Sequence, residues 1–181
     1  MGSPDRGGRL VVVDMQRAFR GKTAWHVPRF DEAAAGIAKL SEASWIPPVY
    51  TRFVRDEAEA GSWSAYYARW SEMRLASGSE EWALAVPLPP GATVLDAPTF
   101  SKWGPELASA IPEGERMLLA GVATDCCVLS TALAAVDAGR YVTVVSDACA
   151  GASDDAHEQA LALMQMLSPM CETTTVADLL A

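Results

Sequence analysis

The chain has 181 residues, of which half are apolar and a fifth are charged, so it can form one globular domain with a sizeable core. Its net charge of -9 gives no electrostatic reason to bind nucleic acid or an anionic membrane surface, and we expect neither as a partner. No apolar run approaches the roughly 18 residues that a membrane span needs.

Two features of the sequence predict a cytoplasmic location. Residues 1–9 are polar and Gly-rich, and the apolar run that follows is too short for a signal peptide. The four cysteines, at positions 126, 127, 149 and 171, match neither a secreted disulfide framework nor paired zinc-binding CxxC motifs. We therefore expect reduced thiols in the cytoplasm.

Short runs of β-branched residues alternate with helical patterns, which is typical of an α/β fold with a parallel sheet. In chain order the predicted elements are a strand at 10–13, a helix at about 28–45, a strand at 49–53, a helix at about 64–77, strands at 92–95 and 117–122, a helix at about 127–138, a strand at 141–145, a helix at about 155–167, a strand at 172–176 and a short terminal helix.

Local signals refine two of these helices. In the helix at 127–138, Leu129, Leu133 and Val136 share a face that we expect to be buried, and Gly139 is the expected C-cap. Asp155 and Glu158 have the spacing of a capping box, which predicts the start of the next helix.

The connection at 54–90 is too long for a plain crossover. It is rich in aromatic residues: Trp63, Tyr66, Tyr67, Trp70 and Trp82. Two interpretations stay open. The segment is either an insertion over one end of the sheet, as a lid or a subunit contact, or an ordinary crossover helix with aromatic packing.

Polar residues stand where apolar strands end. Asp14 directly follows the first strand, Lys102 follows the third, and Cys126 and Cys127 follow the fourth. If the first and fourth strands are neighbours, these side chains meet in the crevice where parallel sheets bind ligands. An ammonium stabilises a thiolate and a carboxylate relays its proton, so the set suits an activated thiol. Taken singly, each residue also fits a turn, a surface or a core position.

Three segments carry a resemblance to a known family. They are Val-Val-Val-Asp-Met-Gln at 11–16, Ser-Lys at 101–102 and Gly-Val-Ala-Thr-Asp-Cys-Cys-Val at 121–128. They resemble the motifs of isochorismatase-like cysteine hydrolases, which include nicotinamidases and N-carbamoylsarcosine amidases, and the similarity covers nearly the whole chain. It implies a single domain over 1–181 with a three-layer α/β/α Rossmann-like fold and a mainly parallel six-stranded sheet of order 3-2-1-4-5-6.

The resemblance also implies the catalytic residues. It gives Asp14, Lys102 and Cys127 as the catalytic trio, with Cys127 rather than Cys126 as nucleophile because of its position three residues after the Thr. A position at the start of a helix also favours a thiolate at Cys127. The family further implies a cis peptide between Val122 and Ala123, whose N–H would form an oxyanion hole with that of Cys127.

The chain departs from the nicotinamidases in one respect. These resemble one another in an Asp-x-His metal motif after the second strand, and this chain has no His there. Its two histidines are His26, in the loop after the first strand, and His157, which we expect to be structural or solvated. We therefore expect no metal and no cofactor.

Six residues are candidates for the substrate pocket: Gln16, Phe19, Trp25, His26, Trp63 and Trp103. For all of them except His26, core packing is the alternative explanation. The expected function is hydrolysis of an amide or ureido C–N bond of a small molecule through a thioester. The alternatives are vinyl-ether hydrolysis without a covalent step and a non-catalytic binding protein that retains the fold. We also expect a homo-oligomer, a dimer or tetramer, with the aromatic segment as a possible contact.

Overall fold

The computed structural model describes residues 8–44 and 46–181 and contains a six-stranded sheet in which every neighbouring pair of strands is parallel. The strands are β1 (Gly8–Val13), β2 (Val49–Phe53), β3 (Thr93–Ala97), β4 (Arg116–Val122), β5 (Val142–Ala150) and β6 (Cys171–Thr174). Their order is β3-β2-β1-β4-β5-β6, which confirms the predicted order. The order in which strands are added to the sheet therefore reverses between β1 and β4, and ligands bind at this point in folds of this kind.

Helices cover both faces of the sheet. They are α1 (Arg17–Arg20), α2 (Phe30–Ala43), α3 (Trp63–Arg69), α4 (Pro105–Ala110), α5 (Leu129–Asp137), α6 (Asp154–Gln165) and α7 (Val176–Leu180). Side chains of β1 alternate between two cores: Val12 packs in the core that holds α2, and Val11 and Val13 pack in the core that holds α4, α5 and α6. Burial on both faces explains why β1 is a continuous apolar run.

Two predictions about helices were wrong. Of the predicted face of α5, Val136 is buried but Leu133 is 42% exposed, and the other buried residues of the helix are Thr131, Ala132 and Ala135. The helix α6 is capped by Ser153, whose hydroxyl accepts the Ala156 N–H, so the predicted capping-box residues lie inside the helix. Gly139 follows α5 with a φ of 79°, which confirms its predicted place at the end of that helix.

Strand β5 extends beyond the predicted 141–145 to Ala150, through a polar Ser-Asp step and a register shift against β4. The predicted helix end at residue 45 and the polar residues 1–7 lie outside the described residues. Within the described ranges, none of the helices is both long and apolar enough to cross a membrane.

The connection at 54–90 links two parallel neighbours, β2 and β3, and is therefore a crossover. The helix α3 is shorter than predicted, and two 3₁₀ turns, Ser71–Met73 and Glu80–Trp82, follow it. Its rings are turned inwards, with Tyr67 and Trp82 buried. A buried carboxylate, Glu59, holds the segment together through ion pairs with Arg55 and Arg74. The aromatic rings thus pack within the chain, and some of them reach the site described next.

Candidate active site

Asp14 lies at the carboxyl end of β1, fully buried and held in one orientation. Its φ of 50° is in the left-handed region, which turns the chain sharply away from the strand. The Asp14 N–H donates to the carbonyl of Thr51 at 3.2 Å, and the Thr51 hydroxyl donates to Oδ1 of the carboxylate at 2.8 Å. The neighbouring strand β2 therefore fixes the carboxylate.

Lys102 follows β3 and forms a buried ion pair with Asp14. Its Nζ lies 3.0 Å from Asp14 Oδ2, and both side chains are almost completely inaccessible to solvent. The ammonium also donates to the carbonyl of Thr99 at 2.7 Å and lies 4.7 Å from the centre of the Phe53 ring. Among the described residues, Oδ2 has no hydrogen-bond partner apart from this ammonium. The free lone pair on Oδ2 remains available to accept a proton.

Cys127 lies in the π-helical turn Thr124–Val128 between β4 and α5 and is buried. Turns of this kind occur often at functional sites. The hydroxyl of Thr131 donates to the carbonyl of Cys127 at 2.7 Å and accepts the N–H of Lys102 at 2.9 Å. One threonine therefore ties the loop of Lys102 to the turn of Cys127.

The adjacent thiols of Cys126 and Cys127 share a hydrogen bond, which moves their pKa values apart. The bond lowers the pKa of the more exposed Cys126. The same bond, burial and the Asp14 carboxylate raise the pKa of Cys127 well above its ordinary value, while Lys102 lowers it. The position of Cys127 at the start of a helix predicts a lowered pKa. The pKa is raised instead, because the neighbouring thiol and burial outweigh the effect of the helix. In the resting protein Cys127 is therefore a protonated thiol, and it needs a base.

The peptide bond between Val122 and Ala123 is cis. The turn after it is closed by the N–H groups of Cys126 and Val128, which both donate to the carbonyl of Ala123. The N–H groups of Ala123 and Cys127 take no part in these closing bonds. Both residues line the cavity above the thiols, which is where an oxyanion would form.

A cavity of about 200 Å³ opens above the two cysteines. Aromatic rings form most of its wall: Phe19, Trp25, Phe53, Tyr66, Trp70 and Phe100. The polar side chains at its edge are His26 and Asp125, and His26 Nδ1 is bonded to the carbonyl of Gly21 at 2.9 Å. Burial and the two thiols raise the pKa of Tyr66, so its phenol stays protonated.

The structure thus brings Asp14, Lys102 and Cys127 to one place. Of the six candidate pocket residues, Phe19, Trp25 and His26 line the cavity and the other three do not. Gln16 is fully buried, and its amide bonds the backbone of Phe53 and Trp82. Trp63 packs behind the wall, with its ring centre 4.9 Å from that of Phe100, and Trp103 packs elsewhere beneath the guanidinium of Arg140.

Sequence reasoning missed Thr51 and Thr131, which orient Asp14 and connect Lys102 to Cys127. A threonine within a buried strand or helix gives no signal of its own, because the same residue type is common there without a polar role. Tyr66 and Trp70 were noted in the sequence only as members of the aromatic connection at 54–90, and Phe100 was not singled out.

A comparison with protein-family models matches residues 9–178 to the isochorismatase domain. The chain belongs to the isochorismatase family. A curated relative, the "secreted isochorismatase effector Isc1" of Phytophthora sojae, is 29% identical over 171 residues, which cover 92% of this chain and 72% of the relative.

Solved structures of other proteins have a similar fold. A cysteine hydrolase from Pseudomonas syringae pv. phaseolicola is 20% identical with a TM-score of 0.82, and the match covers 98% of this chain and 92% of that one. A pyrazinamidase of Pyrococcus horikoshii, solved in complex with zinc, is 24% identical with a TM-score of 0.73, over 93% of this chain and 99% of that one. At these identities the similarity shows the fold of this isochorismatase-family chain.

The residues of this family member do not fit a metal ion like the zinc of the pyrazinamidase complex. Over residues 8–44 and 46–181, no group of three or more His, Cys, Asp and Glu side chains could hold one. The two histidines are separately engaged, His26 with the carbonyl of Gly21 and His157 with the hydroxyl of Thr124. The donor set that zinc prefers, with clustered imidazole or thiolate ligands, is therefore not assembled in the described part of this chain.

Proposed function

We propose that this protein hydrolyses an amide or ureido C–N bond of a small molecule through a thioester at Cys127. The observation that supports this most strongly is the buried ion pair of Asp14 and Lys102, which lies close enough to Cys127 for both charges to affect the pKa of its thiol. Charged residues with no role in catalysis would normally stay at the surface in water. A purely structural ion pair would also not need Asp14 Oδ2 to lack a hydrogen-bond partner other than Lys102.

In the proposed reaction, Asp14 takes the proton of the Cys127 thiol as the sulfur attacks the substrate carbonyl carbon. The Ala123 and Cys127 N–H groups bind the oxyanion of the tetrahedral intermediate. Asp14 then gives its proton to the leaving nitrogen, the C–N bond breaks, and a thioester remains. Water adds to the thioester with Asp14 as base, and the acid leaves as the sulfur regains a proton. The ammonium of Lys102 holds the carboxylate in position throughout.

The shape of the cavity limits the substrate. A volume of about 200 Å³ is below the range for drug-sized ligands, so the acyl group is small. The wall is formed mainly by aromatic rings, which favour a flat, apolar acyl group that can stack on them. The amide or ureido group would then face the turn at Ala123 and Cys127, where the polar groups of the site are concentrated.

We expect hydrolysis to be independent of metal ions, because the donor groups for a metal are not assembled around the trio. The assay offers a panel of small primary amides and N-carbamoyl compounds, including pyrazinamide and nicotinamide, and measures released ammonia before and after exhaustive treatment with EDTA. The rate with the best substrate should be unchanged by EDTA. Loss of activity on chelation with recovery on adding zinc would contradict this, and no turnover of any amide would contradict the proposed function.

We also propose a homo-oligomer in solution. The aromatic rings of the crossover are turned inwards, so they do not supply the contact that the sequence suggested. Large apolar side chains are exposed on the α5–α6 side instead: Leu133, Leu163, Met166 and Met170. Sedimentation velocity at micromolar concentration should show a dimer or tetramer, and Met166→Glu, at a side chain that is 80% exposed, should shift it towards monomer. A monomeric wild type would refute this proposal.

A cytoplasmic location is likewise a proposal. It rests on the four cysteines, which are unpaired in the fold and would face oxidation in a secreted protein. The relative from Phytophthora sojae carries the word secreted in its name, and that description concerns the relative.

A further inference from the structure

The turn that carries Cys127 is held from its far side by the start of α6. Thr124, the first residue of the turn, is fully buried, and its hydroxyl lies 2.8 Å from Nδ1 of His157. The next residue, Asp125, accepts the N–H of Ala152 at 2.9 Å. Two consecutive residues of the turn are therefore anchored to the segment at 152–157, outside the catalytic trio.

His157 does not reach the substrate. Its ring is partly buried and lines a second cavity of about 340 Å³, together with Arg29, Glu32 and Asp154. This cavity shares no lining residue with the cavity above the cysteines. Any effect of His157 on the reaction must therefore pass through the turn, which its ring contacts directly at Thr124.

We propose that His157 is a positioning residue which, through Thr124, sets the placement of the Ala123 amide and the Cys127 sulfur. This inference rests on the proposed function, because it assigns those two groups to the hydrolytic reaction. Thr124 directly follows Ala123 and lies three residues before Cys127, so a shift at its hydroxyl moves both ends of the oxyanion hole. Errors of about 1 Å in such groups reduce rates by up to about 100-fold.

The protonation state of His157 fits this role. Burial is the main factor that lowers the pKa of His157 below 6.5, and the charge of Arg29 lowers it further. The carboxylates of Asp154, Glu158 and Asp125 act in the opposite direction and raise the pKa, but they do not outweigh burial. At neutral pH the ring is therefore neutral, and Nδ1 can accept a hydrogen bond from the Thr124 hydroxyl. The pKa of His157 is lower in the folded protein than in the unfolded chain. The hydrogen bond from Thr124 to Nδ1 is therefore fully present above about pH 6.5 and is lost as the pH falls through the lowered pKa.

The experiment uses the full chain, four single variants and the double variant Thr124→Val/His157→Leu. Thr124→Val removes the hydroxyl but keeps the shape, and His157→Leu removes the ring nitrogens. His157→Asn keeps a polar atom near the position of Nδ1 but cannot become charged. Gln159→Ala, exposed on the same helix, is the matched control. The readouts are kcat and KM for the best amide of the panel and the rate of iodoacetamide alkylation at Cys127, resolved by peptide mass spectrometry, from pH 5 to 9.

We expect Thr124→Val and His157→Leu each to lower kcat by about tenfold or more with little change in KM. The double variant should be no slower than either single variant, because both remove the same contact. His157→Asn should recover most of kcat at pH 7.5, and it should lose less of kcat than the wild type does as the pH falls below about 6.5, because Asn cannot become charged. Gln159→Ala should behave like the wild type.

Additive losses in the double variant, or the same acid limb in His157→Asn as in the wild type, would overturn the proposal. Thermal unfolding of every variant identifies any general loss of the fold; if His157→Leu does not fold, His157→Asn and the pH profile decide. If the wild type hydrolyses no amide, the proposed function fails, while the pH dependence of alkylation at Cys127 still tests the role of His157. The two failures are thus distinguishable.

Discussion

Replacing Cys127 by Ala should abolish amide hydrolysis, with a loss of about four orders of magnitude or more, while Cys126→Ala should keep most of the activity. Cys127 is the buried thiol of the pair, and its own N–H belongs to the proposed oxyanion hole. Cys126 carries the lower pKa of the pair, yet it is the more exposed thiol and lies at a position of the turn that the mechanism does not use.

The paired variants separate the alternatives by steady-state kinetics of ammonia release, with circular dichroism as the control for folding. Because the hydrogen bond to Cys126 is the main factor that raises the pKa of Cys127, Cys126→Ala should also make Cys127 alkylate at lower pH. A folded but inactive Cys126→Ala beside an active Cys127→Ala would reverse the assignment of the nucleophile. Vinyl-ether cleavage that survives Cys127→Ala would instead favour the reaction without a covalent step.

Replacing Lys102 by Ala should lower the rate of acylation by at least about tenfold, although Lys102 forms no covalent bond. The ammonium lowers the pKa of Cys127, so its removal raises that pKa further, and each pKa unit corresponds to about 1.4 kcal/mol. The variant also leaves the buried Asp14 carboxylate without its cation. Loss of one partner of a buried ion pair costs about 3–5 kcal/mol, so the melting temperature should fall as well.

Lys102→Arg is the matched variant that keeps the charge. It should recover activity only in part, because the planar guanidinium cannot replace a compact ammonium that reaches Asp14, Thr99 and Phe53 in a buried space. Iodoacetamide alkylation of Cys127 as a function of pH gives the effect on the thiol independently of substrate binding. An identical profile in wild type and Lys102→Ala would remove Lys102 from the mechanism and leave Asp14 and Cys127 alone.

The sheet could be predicted from the sequence because its strands are short apolar runs with clear ends. The strand at 49–53 has the predicted bounds, and the strand at 116–122 differs by one residue. The second half of β5 was missed because Ser146 and Asp147 interrupt its apolar pattern. The buried face of α5 was only partly predicted because it consists mainly of Thr131, Ala132 and Ala135, whose small side chains stand out less in the apolar pattern than Leu133 does.

Parts of the site could be foreseen because Asp14, Lys102 and Cys127 each follow a strand that ends at the same edge of the sheet. The residues that orient the trio could not be foreseen. Thr51 and Thr131 each act through a single hydroxyl, whose partner, Asp14 or Lys102, is distant in sequence. The direction of the pKa shift at Cys127 depends on burial and on the hydrogen bond between adjacent thiols, and both are properties of packing. The helix position alone favoured the opposite direction.

Trapping the acyl group on Cys127 tests the proposed thioester most directly. The enzyme is mixed with its best amide substrate, quenched in acid within milliseconds and digested, and the peptide that contains both cysteines is examined by mass spectrometry. A parallel reaction contains hydroxylamine, which converts a thioester to a hydroxamate. We predict an acyl mass on Cys127 in the wild type, hydroxamate formation during turnover, and neither in Cys127→Ala. Turnover at full rate with no acyl mass on Cys127 and no hydroxamate would contradict the account.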